Sequence, residues 1–225
     1  PAEKRLFSYP NIKGDPVESR HGALTAYLFD AKGAADRHLV VKEVARPINE
    51  LDKLITGSKP LDDGNFVLDQ TPELDRFIRP YQGAAEFING FIRWVIATPL
   101  IPPDVMRSSQ KLMERIDATR KWRASRQSIT SVGLSNQPTQ WHLTIIPNEP
   151  FLAVPNTSSE RRDYAPIGWI SPPVVPNQKL RILQNATLEI FALLTSRMHM
   201  AWLGHIGGRL KSDYSYSSGL VYNTF

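Results

Sequence analysis

Proline sets the scale of structure in this chain. There are 18 prolines among 225 residues, and each one fixes φ and removes a backbone donor. Long helices and central strands therefore have few uninterrupted places to form, and the spacing predicts many short, turn-bounded elements. The length is enough for one large domain or two small ones with a real core. With 41% hydrophobic and 22% charged residues, the chain is expected to fold.

Zero cysteines exclude disulfides, thiolate metal sites and a cysteine nucleophile, and they fit a reducing compartment. The most apolar stretch, 185–208, is interrupted by Arg197 and His199. It falls short of the roughly 18 apolar residues that a membrane span needs. The opening PAEKRLFSYPNIKGDP lacks the apolar stretch of a signal peptide. The expectation is a soluble, cytoplasmic chain with no membrane partner.

Along the sequence, residues 1–38 read as loop-rich. HLVVKEV (38–44) alternates like a strand, and residues 45–60 read as a short helix entering a loop. DDGNFVLD (62–69) is a turn into a strand, and TPELDRFIRPY (71–81) a brief helix with Thr71 as N-cap. EFINGFIRWVIAT (86–98) reads as a hairpin, because Asn89-Gly90 between apolar runs suits a two-residue turn.

A long helix is expected over 104–128, capped by Asp104, with Val105, Ser109, Leu112, Met113 and Ile116 on one face. WHLTII, FLAV, PIGWI and LRIL then read as short strands between residues 136 and 183. A second long helix, buried, spans 185–208 from an Asn185 cap to Gly207-Gly208. The class is α+β: short strands and hairpins with two main helices, and room for two lobes divided near residue 135.

Catalytic machinery is hard to find. Enzymes that methylate an exocyclic amine need an Asn, Asp or Ser acceptor, then Pro-Pro, then an aromatic ring that stacks on the flipped base. SPPV (171–174) lacks the ring and IPPD (101–104) lacks the acceptor. No Gly-x-Gly loop follows an expected strand, and GHIGG (204–208) follows a helix and reads as its end. Histidines 21, 38, 142, 199 and 205 are scattered, and PELDR (72–76) has acids without a usable lysine. No catalytic, metal or cofactor residue is assigned in this segment.

The positive charge is concentrated. Net charge is +5, and residues 104–128 carry seven cations (Arg107, Lys111, Arg115, Arg120, Lys121, Arg123, Arg126) against Asp104, Glu114 and Asp117. Such a face lies along a phosphate backbone or simply faces water, and the residues allow both. NTSSERRDYAPIG (156–168) gathers hydroxyls, an amide and two arginines that suit phosphate or guanine. A capped turn with a surface ion pair fits it equally well.

Near the end, GRLKSDYSYSSG places Lys211 and Asp213 two residues apart. If 209–216 is extended, they face the same side, roughly 6–7 Å apart. A C·G pair shows the major groove a cytosine N4 donor beside guanine O6 and N7 acceptors. Aspartate takes the first and lysine the second. On spacing alone a solvated pair in a surface turn is the stronger reading.

Longer motifs shift that balance. IRPYQGAAEFING, VPNTSSERRDYAPIG, NATLEIFALLTSRMHMAW and GRLKSDYSYSSGLVYNTF resemble the target-recognition region of MmeI-type single-chain bacterial restriction–modification enzymes and their YeeA-like adenine methyltransferase relatives. LFSYPNIKGDPVE is similar to the stretch that leaves the methyltransferase domain in that family. The resemblance implies a target-recognition-domain fold: residues 1–38 as the tail of, or linker from, the methyltransferase domain, and 39–225 as the DNA recognition domain. It implies a parent enzyme that uses S-adenosylmethionine to methylate adenine N6 within a short DNA site, with an endonuclease domain in many members. This segment would then be an excised, monomeric piece without cofactor, partnered by double-stranded DNA and by its own methyltransferase domain.

In relatives the position of Lys211-x-Asp213 tends to be Lys-x-Asp or Glu-x-Arg, as the resemblance has it, and the reversed pair suits a flipped base pair. Lys211 and Asp213 are therefore expected to read bases, with Asn156, Asn177 and Gln178 added as candidates. Arg209, Ser158, Ser159, Arg161, Arg162, Lys121, Arg123, Arg126, Tyr214 and Tyr216 are the candidates for phosphate contact. Arg161 and Arg162 fit internal structure as well. The competing reading is a scaffold that docks the methyltransferase or nuclease domain and reads no bases.

Overall fold

Short elements dominate, as the prolines require. A computed structural model describes residues 3–11, 13–33, 40–68 and 75–225. Near the N-terminus, β1 (Lys4–Ser8) pairs antiparallel with β2 (Val17–His21) in a ribbon that is mostly solvent-exposed. β3 (Ile55–Thr56), β4 (Val67–Leu68), β5 (Ile78–Gln82) and β6 (Arg93–Ile96) follow. The later strands are β7 (Phe151–Pro155), β8 (Thr157–Ser158), β9 (Gly168–Ile170), β10 (Val175–Pro176) and β11 (Leu180–Leu183). The last two, β12 (Gly208–Leu210) and β13 (Asp213–Ser215), form a hairpin.

Two four-stranded sheets organise the core. One has the order β10-β5-β6-β4, and the other β3-β11-β7-β9. β10 lies parallel to β5, while the remaining pairs in both sheets are antiparallel. A boundary near residue 135 does not separate them. β3 precedes that point and edges the second sheet, whereas β10 follows it and edges the first. The two lobes are interleaved, because each strand finds its edge partner wherever main-chain groups are left unpaired.

β7 shows why the second sheet is buried on both faces. All five of its residues are buried. Leu152 and Val154 face one cluster with Leu183, Leu194, Leu203 and Tyr222, while Phe151 and Ala153 face another with Ile170, Leu180 and Ile182. The period-two alternation feeds two cores from one strand.

Both long helices are broken. In place of 104–128 the chain forms α2 (Pro103–Ser108), α3 (Gln110–Ala124) and α4 (Ile129–Gly133), following α1 (Ala84–Asn89). Ser109 leaves helical geometry at φ −108° and ψ 103°, and its hydroxyl accepts from Leu112 N–H. In place of 185–208 there are α5 (Leu188–Leu194) and α6 (Arg197–Ile206), capped by Thr187 and Ser196. Asn185 is no cap but a left-handed residue at φ 54°. Hydroxyl side chains that satisfy helix-start donors restart helices in mid-run.

Four further expectations fail. Asn89-Gly90 ends α1 instead of turning a hairpin: Gly90 sits at φ 74° and donates to Glu86 O. Asn-Gly serves any site needing positive φ, helix ends included. Residues 40–44 form no strand and 45–54 no helix. That segment is instead tied to the C-terminal turn, where Val44 N–H donates to Gly219 O, Ile48 N–H to Asn223 O, and Tyr222 Oη to Asp52 O. WHLTII contributes only a bridge between Leu143 and Lys59. The helix start expected at Thr71 lies outside the described residues, and a short 3-10 turn at Asp75–Phe77 leads into β5. No helix among the described residues is long and apolar enough to cross a membrane.

Candidate functional site

Lys211 and Asp213 do not share an extended strand. Leu210 pairs directly with Asp213, so Lys211 and Ser212 are the two turn residues of the β12–β13 hairpin. Lys211 is exposed and has φ 58°. A positive φ at the first turn residue belongs to type II′ turns, where glycine is the usual occupant. A lysine there carries strain of about 1 kcal/mol or more. Asp213 is half-buried at the start of β13. The pair therefore projects from a tip, not from one face of a strand.

Arg209 braces that tip. It lies opposite Tyr214 in the ladder, with its guanidinium carbon 3.9 Å from the ring centroid. Nη1 donates to Ser212 O at 3.2 Å, and Nη2 donates to Gly204 O at 3.3 Å. A stacked cation at an exposed site contributes about 0.5–1 kcal/mol. Arg209 thus joins the end of α6 to the turn. Tyr214 is the half-buried ring beneath it.

The serine–arginine loop emerges beside the hairpin, because β8 is its third strand, with Tyr214 opposite Ser158 and Ser215 opposite Thr157. Ser158 itself is buried, which withdraws it from phosphate contact. Ser159 shapes the next turn: Oγ accepts from Arg161 N–H and its carbonyl from Arg162 N–H. Arg161 and Arg162 are both exposed on that turn. Arg197, from the first turn of α6, donates through Nε to Tyr164 Oη at 3.3 Å. Glu160, Arg161, Arg162, Asp163, Arg197 and Arg209 border a cleft of about 520 Å³. The sequence reading missed Arg197, and no local signal marks it, since its partner is 33 residues away.

Asn156 stitches this region to the 177–179 turn. Its N–H donates to Lys179 O, its Nδ2 to Gln178 O, and its carbonyl accepts from Tyr216 N–H. Asn177 Oδ1 accepts from Lys179 N–H, and Asn177 N–H donates to Gln82 O. These bonds tie both residues into the scaffold, while Asn156 Oδ1 is buried without a hydrogen-bond partner. Gln178 is half-buried in the same turn.

Two more phosphate candidates are withdrawn by burial. Tyr216 is 4% exposed, and its hydroxyl lies 2.8 Å from His199 Nε2. Arg123 is 0% exposed. Its guanidinium donates to the carbonyls of Pro60, Leu61, Leu134, Gln137 and Gln140 at 2.8–3.0 Å. The sequence did carry a signal, because Leu112, Ile116, Thr119 and Arg123 fall on one helical stripe, and all four are buried. Lys121 and Arg126 remain exposed. Lys121 pairs with Asp117 at 2.8 Å, and Arg126 lies over the Trp122 ring at 4.5 Å.

Residues 35–225 match the family model for the MmeI target recognition domain. The chain is 29% identical over 211 residues to DNA methyltransferase A of Bacillus subtilis (strain 168), covering 90% of this chain and 23% of that protein. It also superimposes on a solved structure of the Type IIL restriction–modification enzyme MmeI in complex with DNA. The TM-score is 0.91 at 30% identity, covering 99% of this chain and 30% of that one. The chain thus spans less than a third of the length of either relative.

Proposed function

This chain belongs to the MmeI target recognition domain family, and we propose from that premise that it reads a short DNA sequence for an adenine-specific methyltransferase. The observation that supports the reading best is the β12–β13 tip. A strained, exposed Lys211 in the braced turn and a half-buried Asp213 just after it lie beside an arginine-rich loop. A two-stranded ribbon fits the major groove, which is about 12 Å wide. At that tip Lys211 donates to guanine O6 or N7, and Asp213 accepts from cytosine N4. Arg161, Arg162, Lys121 and Arg126 contribute phosphate contacts, which fix register without reading sequence.

The parent enzyme supplies the chemistry. It transfers a methyl group from S-adenosylmethionine to adenine N6 in another domain, joined through residues 1–38, and many such enzymes also cut DNA. Nothing in the 39–225 segment is assigned a catalytic role. Exchanging both residues in the parent, Lys211→Glu with Asp213→Arg, tests the reading by methylation mapping. The expected result is a changed base pair at one position of the motif and no change elsewhere, with each contact setting about 1–3 kcal/mol of discrimination. An unaltered motif eliminates the base-reading role. DNA binding that is insensitive to salt would favour a docking scaffold, since phosphate contacts release counterions.

A further inference from the structure

We propose that the cleft between the 159–164 loop, α6 and β12 binds one backbone phosphate of the duplex at the wall of the groove that the hairpin tip enters. The inference rests on the DNA-reading proposal above and adds Arg197 to it as a ligand. Three arginines from separate parts of the chain converge there: Arg161 and Arg162 from the loop, and Arg197 from α6. Each is exposed, and Arg197 is oriented by its bond to Tyr164 Oη. Arg209, held by Tyr214, Ser212 O and Gly204 O, is the positioning residue that ties the cleft to the tip.

Charge and distance select the ligand. Four arginines face two carboxylates, Glu160 and Asp163, leaving a net positive charge suited to a phosphodiester and too small for a polyphosphate. Arg209 precedes Lys211 by two residues, about 7 Å at strand rise. A major groove is about 8.5 Å deep, so a tip that enters it leaves Arg209 and the cleft near its mouth, where the phosphates of the wall lie. Guanidinium groups grip phosphate oxygens in two-pronged fashion.

The test uses the parent enzyme on a duplex carrying its mapped site, with each phosphate near the site replaced in turn by a neutral methylphosphonate. Wild type should lose roughly tenfold in affinity at the replaced position that the cleft holds, besides those held by Lys121 and Arg126. Arg197→Ala and Arg162→Ala should each bind the unmodified duplex about tenfold more weakly. Each should lower the slope of log K against log salt by about 0.9 and show no further loss at that same position. Arg197→Lys should keep the charge and part of the affinity, and the methylation motif should not change in any of them. Full methylphosphonate interference in the alanine variants at every position overturns the cleft. So does inorganic phosphate that binds the wild-type cleft at constant ionic strength without displacing DNA, which would mark a free-anion site. If the cleft variants behave as wild type while the Lys211 and Asp213 exchange alters the motif, the cleft fails alone. A parent enzyme whose DNA affinity ignores salt removes both readings together.

Discussion

His199 Nε2 lies 2.8 Å from the Tyr216 hydroxyl, and both residues are buried. The Phe225 ring closes the other side, its centroid 4.4 Å from that of His199. This pair anchors α6 to the residue that leaves β13, so the base of the hairpin is fixed to α6. Nδ1 of the same ring is buried without a hydrogen-bond partner. Burial pulls the His199 pKa down to about 4.

A folded histidine that refuses a proton makes stability depend on pH. The unfolded side chain titrates near 6.5, so between about pH 6.5 and 4 the unfolded state holds more protons and stability rises with pH. The contribution is fully present above pH 6.5 and is lost as pH falls toward 4. At pH 5 the loss should reach about 2 kcal/mol. Urea unfolding of wild type and His199→Gln at pH 7 and pH 5 checks this: the difference between the two proteins should shrink at the lower pH. A constant difference would contradict a neutral buried imidazole.

Arg123 should matter to folding and not directly to DNA. Its five carbonyl acceptors come from three segments, 60–61, 134–137 and 140. Arg123→Ala strips all of them and should cost at least about 3–5 kcal/mol. Arg123→Lys should fare little better, because an ammonium cannot reach five acceptors set for a planar fork. Thermal melting measures both, and a melting temperature near wild type for the alanine variant would refute the buried role.

Lys211→Gly separates strain from recognition. At φ 58° glycine relieves strain, so the variant should be more stable by about 1 kcal/mol. In the parent enzyme it should also relax the preference at one base pair. Denaturation midpoint and methylation mapping should move in opposite senses, one improved and the other degraded. A destabilised variant would mean that the lysine side chain holds the turn.

The seam between the sheets predicts a fourth outcome. Gly57 N–H donates to Leu180 O and Ser58 N–H to Pro176 O. A Cβ on Gly57 would collide with the main chain of Asn177 and come within 2.8 Å of Pro176 O. Gly57→Ala should cost about 1–3 kcal/mol by forcing these backbones apart. Chemical denaturation is the check, and an unchanged midpoint would show that the seam can yield.

What was readable beforehand divides along a physical line. Short, nearly continuous apolar runs, such as FLAV and LRIL, identified β7 and β11, because such runs must bury both faces. The stripe Leu112, Ile116 identified the buried side of α3 for the same reason. Ambiguous local signals failed: Asn89-Gly90 satisfies a hairpin turn and a helix end alike, and Ser109 and Ser196 could face solvent or restart a helix. Spacing also misled at Lys211 and Asp213, since two residues apart means one face only if no turn intervenes.

The sequence by itself determined the family and the short-element α+β character, because long motifs and hydrophobic periodicity are properties of consecutive residues. Only the tertiary structure decided which cations are available. Arg123 and Arg126 look alike in one dimension, yet the first is enclosed by distant carbonyls while the second lies exposed over Trp122. It also brought Arg197 beside Arg162 and set Asn156 to scaffold work. Those outcomes depend on which distant backbone groups lack partners after the sheets have formed, and no window along the chain contains that information.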